Sequence, residues 1–346
     1  MSAKYAAIRA LFELIWLSRL PGLLRALSRS RGVIFTLHRV LPETPHDFSP
    51  NAILQIEPAF LDYVIERVRA LGIDIVSLDE ALERLAAPGK TKPFVVLTFD
   101  DGYKDNLRHA LPILRRHEAP FTLYVPTALV DGVGELWWQA IEDIIARQQA
   151  VALQLGTEID YVDTRTLAQK QSVFAALYGQ MRQLPEDQRL ALLHRFAADY
   201  GYDLAAQCRA LIMDWSELRH FAAEPLCTIG AHTVHHYELA KLPLAQARDE
   251  MAQSADILLA QFGQRPRHFS YPLGGPQSAG PREFALAREL GFASAVTTRP
   301  GGLYPRHADD PYALPRISLN GYFQSRRYVD VFVTGAVFSL LGRITG

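Results

Sequence analysis

Seven short apolar runs, separated by stretches of helical period, constrain the fold of this chain more than any other feature. The runs are Val33–Leu37, Ile73–Leu78, Phe94–Phe99, Phe121–Val125, Cys227–Ala231, His268–Tyr271 and Phe292–Val296. They are rich in Val, Ile, Phe and Thr and lack alternation, the pattern of strands covered on both faces. Pro58–Leu71, Leu107–His117, Leu244–Phe262 and Arg282–Leu290 read as helices between them. Strands alternating with helices of this length predict a parallel α/β sheet or barrel.

The stretch from about Gly134 to Phe221 breaks the rhythm. It reads as the helices Glu135–Gln149, Leu167–Leu184, Glu186–Tyr200 and Ser216–Phe221, with no strand among them. Because the strand–helix pattern resumes beyond it, it is expected to be a helical insertion within one domain; a separate helical domain is the alternative. The expected division is a helical segment over 1–32, a barrel over 33–130 and 214–318, the insertion over 131–213 and an amphipathic tail over 319–346.

The formal charge of −1 gives no electrostatic case for nucleic acid. Two cysteines, Cys208 and Cys227, imply no disulfide framework and read as small buried hydrophobes. Lys4–Leu27 reads as helical, interrupted at Pro21 and Gly22. Its apolar part contains Glu13 and is followed by no small-residue cleavage pattern, which argues against a signal peptide. No stretch reaches the roughly 18 apolar residues that a membrane span needs. The expectation is therefore a cytoplasmic protein. The apolar run Val331–Gly342, flanked by Arg326, Arg327 and Arg343, and the basic N-terminal segment could hold it peripherally at the inner face of the membrane, or could simply pack on the barrel.

Three segments carry chemistry, each at the end of an expected strand. Phe94–Tyr103 reads F-V-V-L-T-F-D-D-G-Y, so that Asp100 and Asp101 end an apolar strand side by side. Adjacent carboxylates repel and are costly to desolvate unless a cation relieves them, although a solvated Asp-Asp-Gly turn fits equally well. Gly230–Leu239 reads G-A-H-T-V-H-H-Y-E-L. Its His232 and His236 suit a zinc-like ion, with His235 the spare histidine. His268–Gly275 reads H-F-S-Y-P-L-G-G, a tight loop whose backbone N–H groups could face an oxyanion or could merely connect strand to helix.

These three motifs, in this order, resemble the polysaccharide deacetylase (NodB-homology) family of carbohydrate esterases. The resemblance covers roughly 33–130 and 214–318. It implies a distorted (β/α)7 barrel, here with a helical insertion and helical termini. It also implies a metal-dependent hydrolase that removes an N-acetyl group from an amino sugar in a glycan or lipid-linked saccharide of the bacterial cell envelope. Carried over, Asp100 is the general base. Asp101, His232 and His236 hold one divalent ion, zinc by preference, and the backbone N–H of Leu273 donates to the oxyanion. Tyr103 is assigned to substrate contact or charge tuning.

The chain departs from the family pattern twice. Ser270 stands where the third motif usually has arginine, and Arg316, in A-L-P-R-I, is the candidate to supply that charge. No late L-x-x-H segment supplies the usual catalytic histidine. Instead His38, in V-I-F-T-L-H-R-V, resembles the Y-H-x-V segment of the poly-N-acetylglucosamine deacetylase branch and is the candidate general acid. The alternatives are a related metal-dependent amidase acting on a non-sugar amide or imide, expected to have a small closed pocket rather than an aromatic groove, and a non-catalytic glycan-binding protein.

Overall fold

Phe94–Asp100 is the spine of the fold, because all seven of its residues are buried and it pairs on both sides. The computed structural model describes residues 3–19, 21–22, 30–155, 158–335 and 337–338. Eight strands form its main sheet: β1 (Gly32–Leu37), β2 (Asp74–Ile75), β3 (Phe94–Asp100), β4 (Phe121–Val125), β5 (Cys227–Ala231), β6 (His268–Ser270), β7 (Ser294–Val296) and β8 (Ile317–Ser318). Their order is β7-β6-β5-β4-β3-β1-β8, with β2 alongside the first residues of β3, and every pairing is parallel. Parallel pairing brings all the C-terminal strand ends to one rim, where sites are built in such folds.

One short segment curls the sheet into the expected distorted barrel. Leu314 bridges to Val296 at the β7 edge, and Ile317 and Ser318 then pair with Phe35 and Thr36 of β1. Residues 314–318 thus touch both edges.

The structure corrects several local expectations. The run Ile73–Leu78 yields only the two-residue β2, because Ser77 caps a helix, Leu78–Ala86, its Oγ accepting the Glu80 N–H at 3.1 Å. The segment expected to hold no strand contains an antiparallel hairpin, Ala150–Leu155 with Glu158–Asp163, and a further helix, Leu204–Leu211. The eighth strand, β8, was not expected. The helix after β3 opens with a π-turn, Asn106–Ala110, before the α-helical Leu111–Arg116, where Pro112 offers no N–H.

The terminal helices Ala3–Leu17 and Arg326–Phe332 pack on each other, and the latter packs on the Pro58–Ala70 helix. Phe12 is 1% exposed and meets the rings of Phe323, Tyr328, Phe332 and Phe338 at 5.4–5.6 Å. Burying one such side chain contributes about 1.5–3 kcal/mol, and Tyr5, Ile8, Ile15 and Trp16 of the same helix add further packing on the core. Of the expected N-terminal helix, residues 20 and 23–27 lie outside the described residues, as do residues 336 and 339–342 of the C-terminal apolar run. No described helix is long and apolar enough to cross a membrane.

Candidate active site

Backbone strain gathers where the three motifs meet. Among the described residues six non-glycine positions have positive φ, and four of them are Asp101 (74°), Thr233 (64°), His236 (61°) and Leu273 (59°). Such conformations each cost on the order of 1–3 kcal/mol and persist where the surroundings hold a residue in place. Here they turn the chain sharply as β3, β5 and β6 end, so that adjacent residues face the same cavity.

Asp100 ends β3 and is 2% exposed. Arg316, from the loop before β8, grips it with two hydrogen bonds, Nη1 to Oδ1 at 2.8 Å and Nη2 to Oδ2 at 2.7 Å. The same guanidinium donates to Ser270 Oγ at 3.0 Å and Thr98 Oγ1 at 3.1 Å. Burial acts to raise the Asp100 pKa, but the Arg316 charge and hydrogen bonds outweigh it and hold the carboxyl well below the ordinary range. The aspartate therefore stays ionised in the interior.

Asp101 faces the two histidines. Its Oδ1 lies 3.6 Å from His232 Nε2 and 3.3 Å from His236 Nε2, and all three residues are buried. The His232 Nδ1 sits 2.6 Å from the carbonyl oxygen of Ser270, which fixes Nδ1 as the protonated nitrogen and leaves an Nε2 lone pair toward Asp101. Burial lowers both histidine pKa values, so the rings are neutral. Burial, then the neighbouring Asp100 charge, pushes the Asp101 carboxyl up, and its Oδ1 has no hydrogen-bond partner. An orphaned carboxylate oxygen facing two buried imidazoles fits a divalent cation in residue type, number and burial.

His235 turns away. Its ring stacks on Tyr237 and its Nδ1 lies 2.6 Å from Glu250 Oε1. The other oxygen of Glu250 accepts the backbone N–H groups of Val234 and His235 at 3.0 and 2.9 Å. One carboxylate from the Leu244–Phe262 helix thereby clamps the loop that presents both inward-facing histidines.

The remaining candidates divide. His38, directly after β1, lines the same cavity as Asp100, Asp101, His232, His236 and Leu273. Asp105 fixes the strand that follows it, accepting the Val40 N–H at 2.9 Å and pairing with Arg39 at 2.9 Å. Tyr103 does not line the cavity: it is fully buried one layer behind, and its hydroxyl accepts from Trp138 Nε1 at 3.2 Å. The cavity, about 250 Å³, is also walled by Asn51, Ile53, Leu54, Trp137, Trp138, Tyr178 and Thr298. Trp138 packs on the His236 ring at 5.0 Å and Trp137 lies 5.0 Å from Tyr178. Sequence reasoning passed over this wall; the adjacent tryptophans Trp137 and Trp138 were its one visible signal.

The profile of the polysaccharide deacetylase family matches residues 87–156 and 186–294, more than half of the chain. The chain belongs to that family. No curated protein sequence matches it significantly. Solved structures of similar fold include the Streptococcus pyogenes deacetylase PplD in complex with acetate (19% identity, TM-score 0.58, covering 87% of this chain and 97% of that one). IcaB from Ammonifex degensii is similar at 19% identity and TM-score 0.53, over 87% and 97% of the two chains. The BpsB deacetylase domain from Bordetella bronchiseptica follows at 16% identity and TM-score 0.50, over 84% and 96%. At such identities the likeness speaks for the deacetylase barrel fold, and the family profile speaks for glycan de-N-acetylation.

Proposed function

We propose that the chain is a metal-dependent hydrolase that removes the N-acetyl group from an amino sugar of a glycan or lipid-linked saccharide. The observation that carries this reading is the placing of an ionised, Arg316-gripped Asp100 beside the Asp101, His232 and His236 cluster on one cavity wall. A divalent ion held by those three residues, zinc by preference, would supply Lewis acidity to the acetyl oxygen and make a water more acidic.

The rest of the reaction falls to the chain's own groups. Asp100 takes a proton from the attacking water as that oxygen bonds to the acetyl carbon, and Arg316 keeps Asp100 anionic until then. The backbone N–H of Leu273, set by its left-handed turn, donates to the developing oxyanion. As the carbon–nitrogen bond breaks, His38 gives a proton to the departing nitrogen, leaving acetate and a free amine. Burial, opposed by Asp100 and helped by Arg316 and His232, lowers the His38 pKa to about 4, so the ring is neutral at rest; the proton it gives to the nitrogen is the one Asp100 took from the water and passes on, which returns both groups to their starting state.

The helices of the insertion, residues 131–213 in this reading, bring Trp137, Trp138 and Tyr178 to the cavity. Three aromatic walls favour a sugar over a small imide. A lipid-linked acceptor would place the enzyme at a membrane surface, and the exposed Leu14 and Leu17 of the Ala3–Leu17 helix support that arrangement. The test is acetate release across a panel of N-acetylated glycans and lipid-linked sugars, with metal supplied and with metal removed by a chelator. Release that needs metal is expected. Metal-independent release, or release only from non-sugar amides, would overturn the reading.

A further inference from the structure

Asn51 lines the cavity from a short 3-10 turn, Pro50–Leu54, that belongs to none of the three motifs. The turn is pinned at both ends of this residue. Its backbone N–H donates to Glu142 Oε2 at 2.7 Å, and its side-chain Nδ2 donates to the carbonyl oxygen of Trp138 at 2.7 Å. Glu142 is 9% exposed, and burial raises its pKa while the hydrogen bonds from Asn51 oppose that rise. On the far side Gly321 presses against the turn so closely that a Cβ there would lie 2.1 Å from the Ala52 oxygen. The residue is thus held in place by contacts within the protein itself.

This pinning decides which way the amide faces. Trp138 O and the Glu142 carboxylate are both acceptors, so the nitrogen of the amide must face them; a flipped amide would set oxygen against oxygen. Oδ1 is left on the other side, and it takes no hydrogen bond from the described residues. A cavity-lining residue whose backbone N–H and amide nitrogen both donate to the protein, and whose amide oxygen takes no hydrogen bond from the described residues, is placed to receive a donor from a ligand.

We propose that Asn51 Oδ1 accepts a hydrogen bond from the amino-sugar substrate and is a specificity-determining residue of this site, an inference that rests on the deacetylase reading above. The donor is either the N–H of the acetamido group or a ring hydroxyl. A fixed acceptor of this kind rejects an analogue that lacks the matching donor, because the acceptor is then left unpaired in a partly dry cavity.

The experiment compares the full chain with Asn51→Leu, which keeps the side-chain volume and removes the acceptor. The substrates are an N-acetylglucosamine tetrasaccharide, its counterpart with an acetate ester in place of the acetamide, and counterparts lacking single ring hydroxyls. On the parent saccharide Asn51→Leu should lose about 10-fold in kcat/KM, mainly through KM. Against the one analogue that lacks the partner donor, variant and wild type should be equal: the ester if the donor is N–H, a deoxy sugar if it is a hydroxyl. A loss of equal size on every substrate would show that Asn51 only shapes the wall and would overturn the inference, as would no loss on the parent. Thermal melting is measured in parallel. If Asn51→Leu does not fold, Asn51→Ala is read in the same way, and unfolding of both overturns the inference in favour of packing. Wild-type turnover is the control: its absence across all saccharides counts against the deacetylase reading instead.

Discussion

Arg316 reaches Asp100 from 216 residues further along the chain, and it does so through the space above Ser270. A serine at that position is small enough to let a guanidinium enter from β8's side and still accept a hydrogen bond from it. The charge that the family's third motif usually supplies from its own strand arrives here from another. The pair is buried at both ends, with Arg316 1% and Asp100 2% exposed.

Breaking that pair should cost both fold and function. Arg316→Met is expected to lose about 3–5 kcal/mol of stability, the scale for stranding one partner of a buried ion pair. Arg316→Lys keeps the charge but not the two-point grip, and should retain more stability than activity. Chemical denaturation and acetate release, measured together, separate the two effects. Ser270→Arg should not rescue Arg316-containing protein but harm it, since two guanidinium groups would then compete for one carboxylate.

His232→Ala and His236→Ala should each lose bound divalent metal, whereas His235→Ala should keep it, because His235 faces Glu250 rather than Asp101. Elemental analysis after dialysis reads this directly. Full occupancy in either of the first two variants would move the metal elsewhere.

Asp100→Asn should retain metal and lose turnover, since a base is removed while the cluster of Asp101 and the histidines stays intact. An inactive variant that has also lost its metal would mean that Asp100 is itself a ligand.

His38→Ala should fold, bind metal and lose roughly 100-fold or more in rate, the usual scale for a general acid. Near-normal rates in a folded protein would leave Asp100 acting as both base and acid.

Glu250→Ala removes the acceptor of two backbone N–H groups in the loop that presents His232 and His236. Metal affinity should fall by roughly 10–100-fold, the scale seen when an outer-shell partner is lost. Glu250→Gln keeps one carbonyl oxygen and should fall less. Titration of the metal-free protein with zinc gives the comparison, and unchanged affinity in Glu250→Ala would remove the clamp from the account.

What was legible in the sequence follows from physics that acts locally. A strand buried on both faces must be a continuous apolar run, so β1, β3 and β4 were visible, and polar residues ending such runs marked the rim. The apolar run Ile73–Leu78 misled because helix starts are signalled by a single capping side chain, Ser77, which hydropathy does not register. The two residues of β8 form no run at all, and their pairing with β1 is fixed by the barrel rather than by their own propensity. Val151 and Leu153 alternate with small or polar neighbours in the hairpin, a pattern too brief to stand out inside a helical stretch. The wall of Asn51, Trp137, Trp138 and Tyr178 was illegible for a different reason: its members come from separate segments and meet only when the chain has folded.

The segment 314–318 has a consequence for the order of events during synthesis. The strands β1 to β7 can all have left the ribosome while the residues that join the two edges of the sheet have not. Until they emerge, the nascent barrel is open and Asp100 has no guanidinium beside it. The stretch that seals the barrel is also the one that delivers Arg316, so the Arg316–Asp100 pair can form only in a chain whose barrel strands have all been made. A chain arrested before this point lacks the charged pair on which the proposed chemistry depends.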